Sequence, residues 1–537
     1  MSAFQSTAAL LAQALDHIEL AAWVSSPGSR NAPVVLALSE LETPHRVMLD
    51  ERSAAHVALG AALQSGKPCA VVCTSGTAAM NFGPAVAEAF YQRIPLLLIT
   101  ADRPAGMIDN GHGQSIRQVG LFRQHVRAEA NLQVDHGDVE LIRQNASALR
   151  KALKSLTYGP VHINIPLDEP LYGKPRLPMG FPASFRLDLK PVYDEHLALP
   201  TFLVDAKRPL LIVGQMLASR AFIRQVAKLR QQGWLVVAEH LSNLPVGMAL
   251  SLEDAILQKD ASLFKPDAIV SVGGSWMAKQ AKAMLAGLPH LSVADAAPFP
   301  NLFDGPFATW ACGAEDALAC LLDSQLSTAG WQLPTMKLEV NRPSDRQLTD
   351  LSVHMYLASL PLDGWDIHWG NSMSVRQGAH AFAKGGWAQK VTHYGNRGAS
   401  GIDGSTSTAL GSAWMSSKPT LLITGELSAQ YDLNAMLQSN IPVNLHVLII
   451  NNGGGQIFQV IDGPKSAPNH ESHFLFQHER SFEDAANYLK VPYMSAHDMK
   501  SFESAMAGMM QSPNAAIVEV FTDPMASERS WKRRQDA

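Results

Sequence analysis

The chain has 537 residues, of which 47% are apolar and 17% are charged, so it is long enough for about three domains with sizeable apolar cores. Its 43 lysines and arginines nearly balance 48 aspartates and glutamates, giving a formal net charge of −5. This composition excludes an intrinsically disordered chain, and the weak net charge argues against a nucleic acid or an anionic membrane as a partner of the whole protein.

The amino-terminal segment shows no targeting pattern, because residues 1–11 lack a basic region followed by a long apolar core. The longest uncharged stretch, residues 68–87, contains serine, threonine, asparagine, glycine and proline, which suit a membrane span poorly. The four cysteines form no CxxC pair, so we expect reduced thiols rather than a disulfide framework. We therefore predict a cytoplasmic protein.

Short apolar runs alternate with helical patterns along most of the chain. Uninterrupted apolar runs indicate strands that are buried on both faces, and such strands belong to parallel sheets with helices on either side. We therefore predict the α/β class. The runs are residues 70–73, 95–100, 160–166, 209–214, 234–239, 268–273, 291–294, 420–424, 445–450 and 516–521.

Two stretches have the composition of linkers. Residues 175–191 contain four prolines, and residues 324–343 are polar with a glycine and two prolines. Cutting there gives three segments, each of which we expect to form an open parallel sheet. Because ligands of such sheets bind beyond the carboxyl ends of the strands, candidate functional residues are sought directly after the apolar runs.

An acidic segment follows a β-like run at residues 46–49 in the first segment. It begins Asp50-Glu51-Arg52 and continues as a helical pattern to Gly60. Glu51 at this strand-to-helix junction is a candidate functional acid. The alternative is a surface cluster of charges near a helix start, where acidic residues are common, and the segment alone leaves both open.

Two oxygen-bearing turns follow strand-like runs in the last segment. Gly425-Glu426-Leu427-Ser428 comes after residues 420–424, and Asn451-Asn452-Gly453-Gly454-Gly455-Gln456 comes after residues 445–450. A carboxylate and a carboxamide at one sheet edge suit Mg²⁺, which prefers oxygen ligands and shares them with phosphates, and glycines allow close approach to a diphosphate. The alternative is two ordinary turns.

The two turns together resemble the metal–diphosphate motif of thiamine-diphosphate (ThDP) enzymes, and the segment at Glu51 resembles their activating glutamate. The resemblance implies that Glu426, Asn452 and the carbonyl of Gly454 hold Mg²⁺, with Mn²⁺ as the alternative metal. It implies that Glu51 bonds N1′ of the aminopyrimidine, so that the imino form can remove the C2 proton of the thiazolium. The other cofactor contacts that it implies are Ser400, Gly425, Ser428, Gln456, Ile457 and Phe458.

Four further segments occur in the order found in one ThDP family. They are residues 26–33 (SPGSRNAP), 73–79 (CTSGTAA), 100–104 (TADRP) and 396–404 (NRGASGIDG). This pattern resembles the 2-succinyl-5-enolpyruvyl-6-hydroxy-3-cyclohexene-1-carboxylate synthases of menaquinone biosynthesis over nearly the whole chain. The resemblance implies the ThDP-binding arrangement of three open parallel-sheet domains: a pyrimidine-binding domain at 1–180, a central domain at 190–325 and a diphosphate- and metal-binding domain at 345–537.

The resemblance implies decarboxylation of 2-oxoglutarate and 1,4-addition of the resulting carbanion to isochorismate. Both substrates carry two carboxylates, so the site needs several cations, preferably arginines with their bidentate geometry. Arg376 and Arg397 would hold the distal carboxylate of the succinyl group, with Ser372 on the same helical face as Arg376. The residues implied to contact isochorismate are Ser29, Arg30, Arg103, Gln114 and Lys279. For any single arginine, the alternative is a surface or structural salt bridge.

Three residues depart from the family pattern. Glu426 stands where the family has aspartate, which shifts the carboxylate by about one bond length and bears on the preferred metal. Gly113 stands where many members have asparagine, and Gln280 stands where some have arginine. One polar contact and one positive charge are therefore missing on the isochorismate side.

Ile457 and Phe458 have two interpretations. By resemblance, a bulky apolar residue here would press the pyrimidine of a bent cofactor against its thiazolium. On burial grounds alone, the alternative is a core pair at a helix start.

The resemblance also implies a site between two chains, and hence a homodimer or a dimer of dimers in which Glu51 is given in trans. Two alternatives for the function stay open. One is another ThDP-dependent enzyme that decarboxylates or ligates a different 2-oxo acid. The other is a catalytically silent homologue that acts as a binding subunit, although such a protein would not need an acid at Glu51.

Overall fold

The computed structural model describes residues 4–179, 181, 187–193, 197–245, 247–251, 265–324, 326, 328–329, 331, 347–385, 391–437, 440–460 and 463–534. By their internal contacts, these residues form two compact units. The first comprises Met1–Pro191, Gly398–Ser417 and Gln430–Leu445, and the second comprises Val192–Arg397, Lys418–Ala429 and His446–Ala537.

The first sheet lies in the first unit and has six parallel strands in the order β2-β1-β3-β4-β6-β5. Every residue of β1, β3 and β4 is buried, because helices cover both faces of the sheet. The strands are β1 (Ala22–Ser25), β2 (His45–Val47), β3 (Cys69–Cys73), β4 (Leu96–Asp102), β5 (Ala128–Asn131) and β6 (Val161–Pro166).

The second sheet is also parallel and has the order β12-β11-β10-β7-β8-β9. Its core, which includes Phe222, Val270 and Leu318, lies between the sheet and its helices. The strands are β7 (Pro209–Val213), β8 (Leu235–Ala238), β9 (Leu250–Ser251), β10 (Ala268–Val272), β11 (His290–Ala294) and β12 (Phe307–Ala311).

The third sheet, with the order β14-β13-β15-β16-β18-β17, repeats the strand order of the first sheet. Each of its strands therefore has a counterpart in the first sheet, and the turns after these strands occupy equivalent places at the carboxyl edge. The strands are β13 (Asp366–Trp369), β14 (Thr392–Gly395), β15 (Thr420–Gly425), β16 (Leu445–Asn451), β17 (Tyr493–Ala496) and β18 (Ala516–Phe521).

Helices connect and cover the strands. Short 3₁₀ helices lie at Ala105–Met107, Lys154–Tyr158, His240–Ser242 and Pro464–Ser466. The α-helices of the described residues are α1 (Ser6–His17), α2 (Ala32–Leu38), α3 (Glu51–Ser65), α4 (Thr77–Met80), α5 (Gly83–Gln92), α6 (Val139–Leu153), α7 (Thr201–Val204), α8 (Arg220–Gln231), α9 (Lys279–Met284), α10 (Ala314–Asp323), α11 (Asp350–Ser359), α12 (Met373–Gly385), α13 (Ser405–Trp414), α14 (Glu426–Tyr431), α15 (Asn434–Leu437), α16 (Ile457–Val460), α17 (His470–Phe474), α18 (Glu483–Leu489), α19 (Met499–Gln511) and α20 (Pro524–Arg533).

Helices α3 and α13 of the first unit cross at very short range because each has a glycine at the contact. A Cβ atom built on Gly60 would lie 2.0 Å from the carbonyl oxygen of Thr408, and one built on Gly411 would lie 2.0 Å from that of Val57. No larger residue fits at either position unless the helices move apart.

The α/β class and its parallel sheets are confirmed, and each predicted apolar run corresponds to a strand. Strand β13 was not predicted, because the polar residues Asp366 and His368 interrupt its apolar pattern. Both side chains are nevertheless buried. Each of the three predicted domains contains one sheet, but their boundaries stay a prediction. The proposed linkers at 175–191 and 324–343 lie partly outside the described residues. Among the described residues, no helix combines the length and apolar character that a membrane crossing requires.

Candidate active site

Four polar turns lie at the carboxyl edge of the first sheet. The strands β2, β1, β3 and β4 are neighbours and run parallel, so residues 26–31, Glu51, residues 74–76 and Arg103 all follow strand ends at this edge. A Cβ atom on Gly28 would lie 2.3 Å from the Cβ atom of Thr74, so the turns after β1 and β3 touch. Segments that are far apart in sequence thus form one polar rim.

Glu51 is the first residue of α3. Its predecessor Asp50 caps the helix by accepting hydrogen bonds from the next two backbone N–H groups after Glu51, at 2.9 and 3.3 Å. The half-buried Glu51 carboxylate accepts a hydrogen bond from Asn81 Nδ2 at 3.4 Å. Burial raises the pKa of the Cys73 thiol, and the negative charge of Glu51 raises it further. Glu51 therefore lies near the end of β3.

Arg30 and Arg103 place two positive charges near each other at this rim. Arg30 is 7% exposed; its Nη1 donates to the carbonyl of Leu167 at 2.9 Å, and its Nη2 lies 3.5 Å from Glu169 Oε1. Burial and the charge of Arg103 both lower the pKa of Arg30. Arg103 Nε donates to the carbonyl of Gly113 at 2.8 Å. An anionic ligand would relieve the repulsion between these two guanidinium groups.

Ser29 and Gln114 are exposed at the same rim. Gln114 has a φ of +52°, in the left-handed region, and a Cβ atom on Gly76 would lie 3.1 Å from Gln114 Cα, so the loop that carries Gln114 packs on the turn after β3. A Cβ atom on Gly113 would meet no atom within 4 Å, so an asparagine side chain would have room there.

A buried polar network beneath this rim was not predicted. Gly76 N donates to Gln118 Oε1 at 2.8 Å, and Gln118 Nε2 donates to Asn164 Oδ1 at 3.0 Å. Asn164 Nδ2 donates to Asp102 Oδ2 at 2.9 Å, while the other oxygen of Asp102 accepts from the N–H of Arg103 at 2.8 Å. The network holds the turn after β3 and the backbone of Arg103 in fixed relative positions. The sequence offered one sign of this network, namely the polar residues that stand within the apolar runs of β4 and β6.

The three predicted metal ligands meet where β15 and β16 end. Glu426 is 3% exposed, and its Oε1 accepts a hydrogen bond from Gly454 N at 2.8 Å and lies 3.6 Å from His478 Nε2. Burial raises the pKa of Glu426 to about 8, with a contribution from the charge of Asp350. Asn452 Nδ2 donates to Asp350 Oδ2 at 2.9 Å. Within the described part of the chain, the buried Oδ1 atom of Asn452 has no hydrogen-bond partner.

The glycines of this turn are required by its backbone. Gly453 has a φ of +73° and Gly454 a φ of +155°, and a Cβ atom on Gly454 would lie 2.6 Å from the carbonyl oxygen of Leu475. No side chain fits at Gly454, because the backbone of Leu475 occupies the space that a Cβ atom would need.

The remaining predicted cofactor residues of the third sheet surround this turn. Gln456 Nε2 donates to the carbonyl of Asn452 at 3.4 Å. Gly425 is the last residue of β15, and Ser428 is buried in the first turn of α14, which follows directly. Ile457 and Phe458 begin α16 and are only partly buried, so neither is a core residue. Their proposed contact with a cofactor stays a prediction.

Two arginines lie after strands of the third sheet. Arg376 Nη1 donates to the carbonyl of Ser372 at 2.5 Å. Ser372, with a φ of +70°, precedes α12, so the prediction that Ser372 and Arg376 share one helical face is wrong; their contact runs through the main chain. Arg397 is 7% exposed, and its Nη1 donates to Asn371 Oδ1 at 2.7 Å, while Asn371 Nδ2 donates to the carbonyl of Asn396 at 2.7 Å.

Glu239, after β8, is a further acid that was not predicted. Its carboxylate accepts from the N–H groups of Met277, at 2.8 Å, and Ala278, at 2.9 Å, directly before α9. Burial raises the pKa of Glu239 although these N–H groups and the charge of Arg397 act against the rise. The predicted substrate residue Lys279 is the exposed first residue of α9, so Glu239 fixes the turn that carries it.

Ser400 belongs to a loop that is held by a buried glutamate. Glu88 of α5 is 3% exposed and accepts hydrogen bonds from the N–H groups of Gly398 at 2.6 Å, Ala399 at 2.7 Å and Ser400 at 3.3 Å. Ser400 itself has a φ of +64°. Glu88 thus determines the backbone of this loop, which sequence analysis did not reveal because more than 300 positions separate the partners.

The central sheet has the strand order of dinucleotide-binding folds, but its switch point between β7 and β10 is closed. A Cβ atom on Gly214 would lie 2.0 Å from the carbonyl oxygen of Gly274, whose N–H donates to the carbonyl of Gln215 at 2.7 Å. The Gln215 side chain donates instead to the carbonyl of Gly395, after β14, at 2.7 Å. This edge of the central sheet supports the third sheet.

Comparison with known proteins places these features in one family. Residues 5–121 match the family described as thiamine pyrophosphate enzyme, N-terminal TPP binding domain. The chain is 34% identical to the 2-succinyl-5-enolpyruvyl-6-hydroxy-3-cyclohexene-1-carboxylate synthase of Desulfotalea psychrophila, over 93% of this chain and 95% of the relative. It is 34% identical to the synthase of the same name from Flavobacterium johnsoniae, over 93% of each chain, and 33% identical to that of Bacteroides fragilis, over 95% and 94%.

The chain belongs to this synthase family. The resemblance inferred from the motifs is therefore confirmed, and so are the prediction of a ThDP-dependent enzyme and that of ThDP with a divalent metal as its cofactors. Neither alternative function is favoured by the relatives. The individual residue assignments and the identity of the metal stay predictions.

The residues at the third sheet fit the cofactors of the synthase family. The buried Oδ1 atom of Asn452 is an acceptor that a cation would satisfy, and Glu426 supplies a buried carboxylate in the adjoining turn.

Proposed function

We propose that this protein decarboxylates 2-oxoglutarate and adds the four-carbon succinyl unit to isochorismate in a 1,4 sense. The products are CO2 and 2-succinyl-5-enolpyruvyl-6-hydroxy-3-cyclohexene-1-carboxylate, in menaquinone biosynthesis. The observation that carries the proposal is the identity of 34% over nearly the full length to synthases named for this product.

The distribution of cations supports two dianionic substrates. Arg30 and Arg103 lie close together at the edge of the first sheet, and Arg376 and Arg397 follow strands of the third sheet in the second unit. A guanidinium group can bind a carboxylate through two parallel charge-assisted hydrogen bonds, so these four arginines suit substrates that each carry two carboxylates.

Each group of residues has a distinct role in this proposal. Bound ThDP supplies the nucleophilic carbon and the electron sink. Glu51 would hold the aminopyrimidine of ThDP and the proton on the N1′ atom of that ring. The distal carboxylate of 2-oxoglutarate would be oriented by Arg376, Arg397 and the Ser372 segment. The residues proposed to orient isochorismate are Ser29, Arg30, Arg103, Gln114 and Lys279.

We propose Mg²⁺ as the metal, held by Glu426, Asn452 and the carbonyl of Gly454, with Mn²⁺ as the alternative. The remaining proposed cofactor contacts are Ser400, Gly425, Ser428, Gln456, Ile457 and Phe458. Calorimetric titration of the protein with ThDP in the presence of Mg²⁺, of Mn²⁺ or of a chelator tests this choice. Glu426→Ala should abolish metal-dependent ThDP binding, and unchanged affinity would remove Glu426 from the ligand set.

The reaction is tested with purified protein, ThDP, Mg²⁺, 2-oxoglutarate and isochorismate, with CO2 and the adduct followed together. We expect equal amounts of CO2 and adduct, and little turnover when pyruvate replaces 2-oxoglutarate. CO2 release without adduct would instead identify a 2-oxo acid decarboxylase, and no turnover of any donor would favour the silent homologue.

We also propose that the protein is at least a homodimer, with Glu51 of one chain serving the site of the other. The apolar side chains of Val47, Leu49 and Met80 near Glu51 are 56%, 71% and 56% exposed in the single chain, as expected of a surface that another chain covers. Fully active monomers at high dilution would contradict the proposal.

Mixing two inactive variants distinguishes a site shared between chains from a site within one chain. If Glu51 acts in trans, a mixed dimer of Glu51→Gln and Glu426→Ala chains has one intact site and one doubly substituted site. Co-refolded or co-expressed chains should then recover about one quarter of the parental activity. Each variant alone is the control, and the absence of recovery in verified mixed dimers would show that both acids act within one chain.

The cytoplasmic location stays a prediction, which cell fractionation tests.

A further inference from the structure

A buried carboxylate underlies the turn that carries Asn452. Asp350 is the first residue of α11 and is 4% exposed. Its Oδ2 accepts a hydrogen bond from Asn452 Nδ2 at 2.9 Å, and its Oδ1 accepts from Thr522 Oγ1 at 2.5 Å and from Ser527 Oγ at 3.1 Å. Three donors from two separate segments, the turn after β16 and residues 522–527, thus converge on this one side chain.

These contacts fix the direction of the Asn452 amide. A carboxylate accepts hydrogen bonds but does not donate them, so it can engage the NH2 end of an amide and repels the oxygen end. With its nitrogen held by Asp350, Asn452 must present Oδ1 on the opposite side. That Oδ1 atom is buried and has no partner in the described residues, which leaves it available to a ligand.

The same turn is fixed at a second point. Gly454 N donates to Glu426 Oε1 at 2.8 Å, so Glu426 and Asn452 are joined through one short segment. A buried acceptor without a partner is destabilising, and a cation that binds there removes this penalty. The amide is therefore arranged for its ligand before the ligand arrives.

We propose that Asp350 is a positioning residue that holds the Asn452 amide with its oxygen directed to the divalent cation. The inference rests on the proposed function, in which Asn452 is a metal ligand. Asp350 would touch neither metal nor substrate, and it acts only through Asn452. Partners of this kind behind metal ligands typically change metal affinity by about 10–100-fold when they are removed.

The test measures metal binding rather than turnover. Electron paramagnetic resonance counts free Mn²⁺ during titration of the full chain in the presence of ThDP, and unfolding in urea without metal reports the stability of each variant. For Asp350→Ala we expect Mn²⁺ affinity to fall about 10–100-fold, because the freed amide can turn its nitrogen to the cation. Asp350→Ser is a second variant, in which the shorter hydroxyl can satisfy Thr522 or Ser527 but does not reach Asn452.

Two controls separate positioning from general damage to the network. Asp350→Asn keeps an oxygen that can accept from Asn452 Nδ2, and its own NH2 can donate to the hydroxyl oxygens of Thr522 or Ser527, so Mn²⁺ affinity should stay within about threefold of the parent. Ser527→Ala removes a partner of Asp350 but leaves the Asn452 contact, and it should likewise retain affinity.

The outcomes distinguish this inference from the proposed function. If the parent protein binds Mn²⁺ with ThDP and both Asp350→Ala and Asp350→Ser bind equally well, the positioning role is overturned. It is also overturned if Ser527→Ala and Asp350→Asn lose as much affinity as Asp350→Ala, since loss would then follow stability. If the parent protein binds no Mn²⁺ with ThDP, the proposed metal site itself fails.

Discussion

At the scale of single residues, the proposed chemistry depends on a few acids and amides whose surroundings differ sharply. Glu51 is half-buried at a helix start, whereas Glu426 is 3% exposed and its pKa is raised by burial to about 8. Both could be predicted from the sequence because each follows a strand in a recognisable motif. Asp350, Gln118 and Glu239 could not, because each acts through a hydrogen bond to a residue that is distant in the chain.

Glu51→Gln tests the activating acid. The amide keeps the size of the side chain and can still accept a hydrogen bond from Asn81 Nδ2, so the unfolding midpoint in urea should not change. We expect kcat to fall about 10²–10⁴-fold, the usual contribution of a positioned acid or base. The measurement is CO2 release from 2-oxoglutarate at saturating ThDP. Full activity in the variant would discard this role.

At the scale of elements, close packing of helices and loops decides where the site residues stand. Helices α3 and α13 cross through Gly60 and Gly411, and α3 carries Glu51 at its first position. Glu88 of α5 accepts three backbone N–H groups of the loop that contains Ser400. Periodicity predicted helical patterns but gave no information about these contacts, which depend on complementary shapes in three dimensions.

Gly60→Ala tests the helix crossing. Alanine favours an isolated helix, but its Cβ atom would meet the carbonyl oxygen of Thr408 at 2.0 Å, so the helices must separate. We expect the free energy of unfolding in urea to fall by about 1–3 kcal/mol. Gly83→Ala is the matched control, because its Cβ atom meets nothing within 4 Å at the start of α5. Equal stability of the two variants would contradict a tight crossing.

Glu88→Gln tests the loop contact. An amide offers one acceptor oxygen in place of two and turns an NH2 group toward backbone donors, so at least one buried N–H loses its partner. We expect the free energy of unfolding to fall by about 1–3 kcal/mol, and ThDP to bind more weakly if Ser400 contacts it. Gln92→Ala is the control, since Gln92 Nε2 also donates to Glu88 but lies outside the loop. A variant with parental stability would show that the contact is dispensable.

At the scale of the whole molecule, the first and third sheets share one strand order, and the central sheet differs from both. Equivalent edges of the two similar sheets carry the proposed pyrimidine and diphosphate sites. The sheets also bury several histidines: burial lowers the pKa of His290 to about 4, and those of His368 and His393 to about 3.

Because these histidines are buried, we predict that the free energy of unfolding falls in mild acid. They are neutral in the folded protein, whereas the unfolded chain takes up their protons below about pH 6.5, so the free energy of unfolding decreases as the pH falls from about 6.5 toward 4. Each contributes up to about 1.4 kcal/mol per pH unit. Urea unfolding at pH 7.5, 6.5 and 5.5 measures this slope.

His368→Phe is the matched variant for that measurement. His368 stacks on Tyr394 with ring centroids 4.9 Å apart, and its Nε2 has no partner in the described residues, so phenylalanine can replace the ring contact. In this variant, the slope of the free energy of unfolding against pH should decrease by the contribution of one proton, which is up to about 1.4 kcal/mol per pH unit. A slope that is unchanged in the variant would show that His368 does not titrate on unfolding.

The fold class, the family and the segments proposed to carry the chemistry could all be predicted from the order of the amino acids. Apolar runs report burial of a strand on both faces, and motifs such as residues 26–33 and 396–404 are local in the chain. How those segments are held became clear from the three-dimensional structure: Asp350 accepts a hydrogen bond from Asn452, Glu88 fixes the Ser400 loop, and Ser372 precedes its helix. The physical reason is that a hydrogen bond depends on the distance and direction between two atoms, and neither follows from their positions in the chain.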